Sequence, residues 1–256
     1  MTRRKPGYLV REALERQASM PYPGFQDFEV ELLEKMLRRM WCEALASQAL
    51  HKVDFAKAKE EEISFALAVT FDTVLSVHSG KFQDFLGAFS YDAPEPKLQN
   101  FDRSSIGKKC DFTFRRAVPQ PGTSRLHNAF FVEAKLVTND HTMGYYASTG
   151  LERFLDGDYA WAMPQAMLLG YKRLTSQELP RSLEDHFRRN GGKKAQDLHL
   201  IEGPEAFVLS RGTPRMYWTL HNRDKPRPGT EVTLGKIQVF HLWLNVSGAL
   251  GPLPGA

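Results

Sequence analysis

Along the chain the spacing of apolar residues shifts between helical and strand periods, and each shift marks a new element. From about Asp27, residues Phe28, Leu32, Leu33, Met36, Leu37, Met40 and Trp41 recur at helical spacing. Good helix formers continue to about His51, which predicts a long packing helix. A second helix is expected from Asp54 or Phe55 to His78, with Ile63, Leu67, Phe71, Val74 and His78 as its core stripe. Stepping back three residues from Ile63 puts Glu60 on that stripe, while Glu61 and Glu62 fall on its flanks. An acid on the inner face of a helix start is unusual, although three acids there also suit the helix dipole.

The period then drops to two. Between Lys109 and Arg116, apolar Cys110, Phe112 and Phe114 alternate with polar Asp111, Thr113 and Arg115, as in a half-buried strand. A turn-rich insert with Pro119, Pro121 and Gly122 separates it from a second strand, Phe130 to Val137. Phe130, Val132, Ala134 and Leu136 line one face of that strand. The other face sets Glu133 and Lys135 between apolar Phe131 and Val137, which suggests a partly buried polar site rather than a solvent-facing ion pair.

Beyond these strands a short helix is expected over Ala147 to Leu155, and another after Pro164, reaching about Leu174 with Met167, Gly170 and Tyr171 as its packing stripe. A helix from Ser182 to Asn190 should stop at Gly191. Strands follow at Ala206 to Ser210, Arg215 to His221 and Lys236 to Val246. Phe82 to Phe89 fits either a short helix or an irregular apolar segment. The order implies an α/β fold with a mixed central β-sheet flanked by helices and an N-terminal helical extension. We divide it into an arm and packing helix at 1–53, an α/β domain at 54–247 and an extended tail at 248–256. A short helix near Val10 to Arg16 is expected within the arm.

Composition narrows the class. The 256 residues can bury a sizeable core, and 42% apolar with 25% charged residues is ordinary for a soluble domain. No apolar run reaches the roughly 20 residues of a bilayer span, so a cytoplasmic protein with no membrane contact is expected. Two cysteines, Cys42 and Cys110, give neither a disulfide framework nor a metal knuckle. A net charge of +4 permits a polyanionic partner without requiring one.

The candidate chemistry lies on the strand pair. Two strands joined by a loop can bring the Asp111 carboxylate beside Glu133 and Lys135. Phosphodiester cleavage needs an attacking water and a counter-charge for the transition state, and a hard divalent cation supplies both. Such a cation takes oxygen ligands, which Asp111, Glu133 and the Ala134 carbonyl could provide. Lys135 would reach the same phosphate. Near two carboxylates its ammonium is favoured in the charged form, whereas a general-base role needs it deprotonated.

An inner Glu on a helix, then Asp on one strand and Glu-x-Lys on the next, followed by helices, resembles the PD-(D/E)xK nuclease superfamily, whose core is the restriction-endonuclease-like fold. Glu60, Asp111, Glu133, Ala134 and Lys135 carry the resemblance. It implies a nuclease dependent on Mg²⁺, or on Mn²⁺ in its place. Asp111 and Glu133 would be metal ligands, Lys135 the catalytic lysine and Glu60 an outer acid. Two features depart from the pattern: Cys110 precedes the Asp where Pro is frequent, and a long insert separates Asp111 from Glu133.

Further residues are candidates for nucleic-acid contact: Arg153, Lys172 and Arg173 on the helices after the motif, the basic cluster Arg188, Arg189, Lys193 and Lys194, and His221 with Arg223 after a late strand. Gln165 lies where some members of the superfamily carry a functional Gln. The expected activity is endonucleolytic hydrolysis of DNA, with an RNA-directed nuclease as a further alternative because a phosphate-centred site does not identify the sugar; a controlling protein partner or a homodimer and a role in defence against foreign DNA are expected with it. The alternative is a nuclease-fold subunit without activity that binds nucleic acid or a partner through the long N-terminal helix and exposed aromatics such as Trp41.

Overall fold

The structure is a computed structural model that describes residues 20–91, 98–101, 106–173, 175–208, 215–223 and 233–246. Its helices are α1 (Asp27–Ala46), α2 (Gln48–His51), α3 (Glu60–His78), α4 (Gln83–Ala88), α5 (Met143–Tyr146), α6 (Glu152–Leu155) and α7 (Arg181–Asp197). The strands are β1 (Phe89–Tyr91), β2 (Leu98–Gln99), β3 (Ile106–Lys108), β4 (Phe112–Arg116), β5 (Ala129–Val137), β6 (Gln165–Lys172), β7 (Leu200–Phe207), β8 (Met216–His221) and β9 (Ile237–Asn245). A π-turn, Ala147–Leu151, joins α5 to α6, so one continuous helical segment runs over 143–155. The expected arm helix and the tail from Gly248 lie outside the described residues.

Seven strands form one mixed sheet in the order β1-β4-β5-β6-β9-β8-β7. Its centre, β5, β6 and β9, is parallel, and the remaining pairings are antiparallel. The architecture is therefore α/β with a mixed sheet flanked by helices, as expected. Every residue of β5 is buried, since a parallel centre is covered on both faces.

That double coverage corrects one element. The segment after Pro164 is strand β6, not a helix: Ala166, Met167, Leu168, Leu169 and Tyr171 are all inaccessible, alternating between the two layers. A short continuous apolar run satisfies helical and buried-strand spacing alike. Three smaller corrections follow. Helix α3 begins at Glu60, because Asp54 to Lys57 form a turn in which the Lys57 N–H donates to the Asp54 carbonyl at 2.9 Å. Strand β4 begins at Phe112, leaving Asp111 just ahead of it. The first strand after α7 is β7 at Leu200–Phe207 rather than one centred beyond Ala206.

Helices α1 and α3 cover one face of the sheet. Trp41 is buried, as its place on the packing stripe implies and against the exposure that the partner-binding alternative needs: it stacks between Phe55 and Tyr171 at 5.3 and 5.5 Å, and its indole N–H donates to the Asn245 carbonyl at 2.9 Å. By length and composition the Glu60–Ala88 run is apolar enough to cross a bilayer. Here it opens on three glutamates and packs Phe71 against Phe114 at 5.6 Å. On the opposite face, the 143–155 segment lies so close that a Cβ at Gly150 would overlap Leu168 and crowd the Lys135 stem. Gly170 likewise leaves room for the Trp243 ring.

Candidate active site

Strand alternation puts Phe131, Glu133 and Lys135 on the face beneath the 143–155 segment, and register places Leu168, Gly170, His241 and Trp243 beside them. Lys135 is the hub. Its Nζ donates to Glu60 Oε1 at 2.8 Å, to Glu133 Oε1 at 2.7 Å and to the Ala134 carbonyl at 2.6 Å. An ammonium has three N–H bonds, and all three are used within the cluster. Burial works against the charge of Lys135, but Glu133 and Glu60 outweigh it and push its pKa up to about 12. It therefore stays protonated and is not a general base at neutral pH.

Helix α3 delivers Glu60 because Glu62 folds back to accept the Lys59 N–H at 2.7 Å, which fixes the first turn. Glu60 then reaches β5 with both oxygens, since its Oε2 also accepts the Leu136 N–H at 2.8 Å. Of the three adjacent glutamates, Glu61 and Glu62 face solvent and Glu60 enters the cluster.

Glu133 is held by three donors. Oε1 accepts from Lys135 and, at 3.0 Å, from Arg153 Nη1, while Oε2 accepts a short hydrogen bond from the Tyr159 hydroxyl. Asp111 sits at the mouth, where its Oδ2 accepts the Ala134 N–H at 2.7 Å. Burial and the charge of Glu133 raise its pKa to about 7, against the opposing pull of the Ala134 N–H and Lys135. Two basic side chains, Lys135 and Arg153, thus face three carboxyl groups, and Asp111 is the one that neither of them contacts.

The donor set suits a hard divalent cation. Among the described residues no three His, Cys, Asp or Glu side chains converge as a metal cage. The set here is smaller: two carboxylates and a carbonyl, with lone pairs left on Asp111 and Glu133 and a net charge that a cation would offset. Glu60, Asp111, Glu133, Ala134 and Lys135 thus come together.

Tyr159 was not legible. It lies in the loop between α6 and β6, turned by Gly157 at φ +74°, where no periodicity singles it out. Arg153 lies on a helix as expected, and its side chain is 45% exposed.

Other candidates are placed elsewhere. Lys172 and Arg173 belong to the end of β6 rather than to a helix; Lys172 is buried and pairs with Glu178, and Arg173 donates to the Ala58 carbonyl. Gln165 opens β6 and accepts the Phe25 N–H at 2.6 Å, a packing role. The helix from Arg181 breaks at Arg189 to Gly192, close to the stop expected at Gly191, and Lys193 and Lys194 begin a second helical stretch instead of a loop. Arg188 pairs with Glu184 at 3.7 Å and Lys194 with Asp197 at 3.5 Å, both on the outer surface of α7.

His221 and Arg223 cannot meet a phosphate where they stand, because both are buried. Arg223 donates to the carbonyls of Ala160, Met163, Leu234 and Gly235, which tie the loop before β6 to the loop before β9. Desolvation lowers its pKa to about 9.

His221 ends a buried hydrogen-bond chain. Its Nδ1 lies 2.7 Å from the Leu198 carbonyl, so Nδ1 must carry the proton and Nε2 must accept. The Thr219 hydroxyl, 2.8 Å away, then donates to that Nε2 and accepts from His241 Nε2 at 2.8 Å. His241 Nδ1 is left as an acceptor facing the Tyr146 hydroxyl at 3.2 Å, a hydroxyl that also lies 2.9 Å from the Leu168 carbonyl. Burial lowers the pKa of His221 to about 4 and that of His241 to about 3, so the chain is neutral.

Compared with known proteins, the chain matches no family model, no curated protein and no solved structure.

Proposed function

We propose that the chain is a metal-dependent nuclease of the PD-(D/E)xK type that hydrolyses phosphodiester bonds in DNA. The observation that carries this reading is the convergence of Asp111, Glu133 and the Ala134 carbonyl around a lysine held by Glu60, three sequence-distant pieces of chain meeting at β5. A bound Mg²⁺ or Mn²⁺ would activate water and offset charge on the phosphate. Asp111 and Glu133 would hold that ion, Lys135 would keep Glu133 and the Ala134 carbonyl aligned, and Glu60 would anchor Lys135. The half-exposed Arg153 guanidinium stands beside Glu133 at the site. It would contribute affinity for the nucleic-acid backbone without reading sequence.

The test is Mg²⁺-dependent cleavage of plasmid and single-stranded DNA by the wild type beside Asp111→Ala and Glu133→Gln. Each substitution should lower the rate at least about 100-fold while the fold persists. Equal cleavage by all three proteins removes the assignment. Adding RNA as a competitor decides whether the sugar matters.

A second reading draws on the completeness of the cluster: Lys135 has no N–H to spare and Glu133 already has three donors. It is a nuclease-fold subunit that binds nucleic acid or a partner protein and does not cut. Salt-dependent DNA binding without Mg²⁺ binding would favour it.

A further inference from the structure

Two cations stand at the site, and they differ in what they can still offer. Lys135 is 5% exposed and its three N–H bonds end on Glu60, Glu133 and the Ala134 carbonyl. To reach a phosphate it would have to release one of these carboxylates or the carbonyl, leaving a buried acceptor unpaired. Arg153 is 45% exposed, and only its Nη1 is engaged, at 3.0 Å from Glu133 Oε1 and 3.3 Å from the Tyr159 hydroxyl. A guanidinium carries five N–H bonds, so those on Nε and Nη2 remain for a ligand. Among the described residues they make no hydrogen bond, and the Asp158 carboxylate lies within electrostatic range of the group.

We propose that Arg153, not Lys135, is the cation that contacts the reacting phosphate, and that Tyr159 is the residue that positions it. The proposal rests on the nuclease reading for the identity of the anion. Arg153 and Lys135 share one oxygen of Glu133, so a phosphate held beside Glu133 falls within reach of the unused edge of the guanidinium. That edge is a planar fork suited to two phosphate oxygens at once.

Tyr159 fixes the arrangement from the other side. Its hydroxyl donates to Glu133 Oε2 and accepts from Arg153 Nη1, closing a ring of three groups that holds the guanidinium plane against one carboxylate. The tyrosine is fully buried and its ring packs on Phe154 at 5.4 Å, so the hydroxyl is a fixed reference point. Helix α6 sets the reach: Arg153 projects from the turn that follows the π-turn, and Gly150 within that turn allows the helix to approach β5.

The experiment compares the full chain as wild type, Arg153→Gln, Arg153→Lys and Tyr159→Phe, each first shown to melt cooperatively. Binding of a short fluorescent oligonucleotide is measured in chelator over a salt series, and single-turnover cleavage is measured with Mg²⁺. Arg153→Gln should flatten the dependence of log affinity on log salt by about one ion and slow cleavage about 100-fold. Arg153→Lys should restore the salt dependence but only part of the rate, because an ammonium lacks the fork. Tyr159→Phe should lower kcat with KM unchanged. An unchanged salt dependence with Arg153→Gln, or a flattened one with wild-type cleavage, overturns the proposal. Should the wild type bind without cutting, the nuclease reading fails, while the salt dependence still decides whether Arg153 meets a phosphate.

Discussion

Beneath the helical segment from Met143 to Leu155, Tyr146 joins one buried polar cluster and Arg153 another. Both lie on the same face of the sheet, separated by Leu168 and Gly170 of β6. The chain Tyr146–His241–Thr219–His221 is neutral and enclosed: the Leu198 carbonyl at its far end fixes the protons of His221, Thr219 and His241, and the Tyr146 hydroxyl has both the Leu168 carbonyl and His241 Nδ1 as acceptors. The cluster around Glu133 is ionic and open at one side, where Asp111 touches neither basic side chain and Arg153 meets solvent. Burial alone therefore does not mark a functional site. Unbalanced charge at an accessible edge does, because a closed network has nothing left to give to a ligand.

The contrast can be tested by breaking each cluster. The largest loss should come from Lys135→Ala, which leaves Glu60 and Glu133 without their shared partner: about 3–5 kcal/mol in urea unfolding near neutral pH. A loss under about 1 kcal/mol would mean that the cluster is hydrated and not ionic in the sense described.

Acid should act next, and on the neutral chain. His221 and His241 have pKa values lowered from 6.5 to about 4 and about 3, so the unfolded protein binds more protons below pH 6.5. Their contribution is complete above pH 6.5 and is lost as pH falls toward 4. Between about pH 7 and pH 5.5 the two together should cost on the order of 2 kcal/mol, and His241→Phe should flatten that slope in chemical unfolding measured across the range.

Thr219→Val should cost about 1–3 kcal/mol, since it strands Nε2 of both histidines, yet it should leave nucleic-acid cleavage intact. Loss of activity with unchanged stability in this variant would link the two clusters. The smallest change is of opposite sign. Asp111 has a pKa raised to about 7, so the folded state holds its proton more tightly than the unfolded state and loses stability as pH rises from about 4 through 7. The shift from 3.8 to about 7 sets an upper bound of about 4 kcal/mol, which solvent at the half-buried carboxyl reduces, so at alkaline pH Asp111→Asn should raise Tm by at least about 2–4 °C, the shift that about 1 kcal/mol gives in a chain of this size. A site kept charged for function at the expense of stability behaves in this way.

The open cluster was more legible in the sequence than the closed one. Helical phase singled out Glu60, and strand alternation paired Glu133 with Lys135, because each period maps directly onto a face. Asp111 was found through the same alternation although it precedes its strand. The closed chain joins β8, β9 and the 143–155 segment, whose pairing depends on sheet order, and a lone His at a strand end reads as surface chemistry until the sheet is built. Strand β6 was hidden for a related reason: a strand buried on both faces shows no alternation. Tyr159 had no local signal at all, since its role depends on a loop closing over Glu133.

The most direct test measures melting in chelator and cleavage with Mg²⁺ for the wild type and Asp111→Asn, both at alkaline pH, because a bound cation would itself stabilise the wild type. The account predicts a variant that melts at a higher temperature and no longer cuts DNA. A variant that cuts as well as the wild type, or one that is less stable, would contradict it.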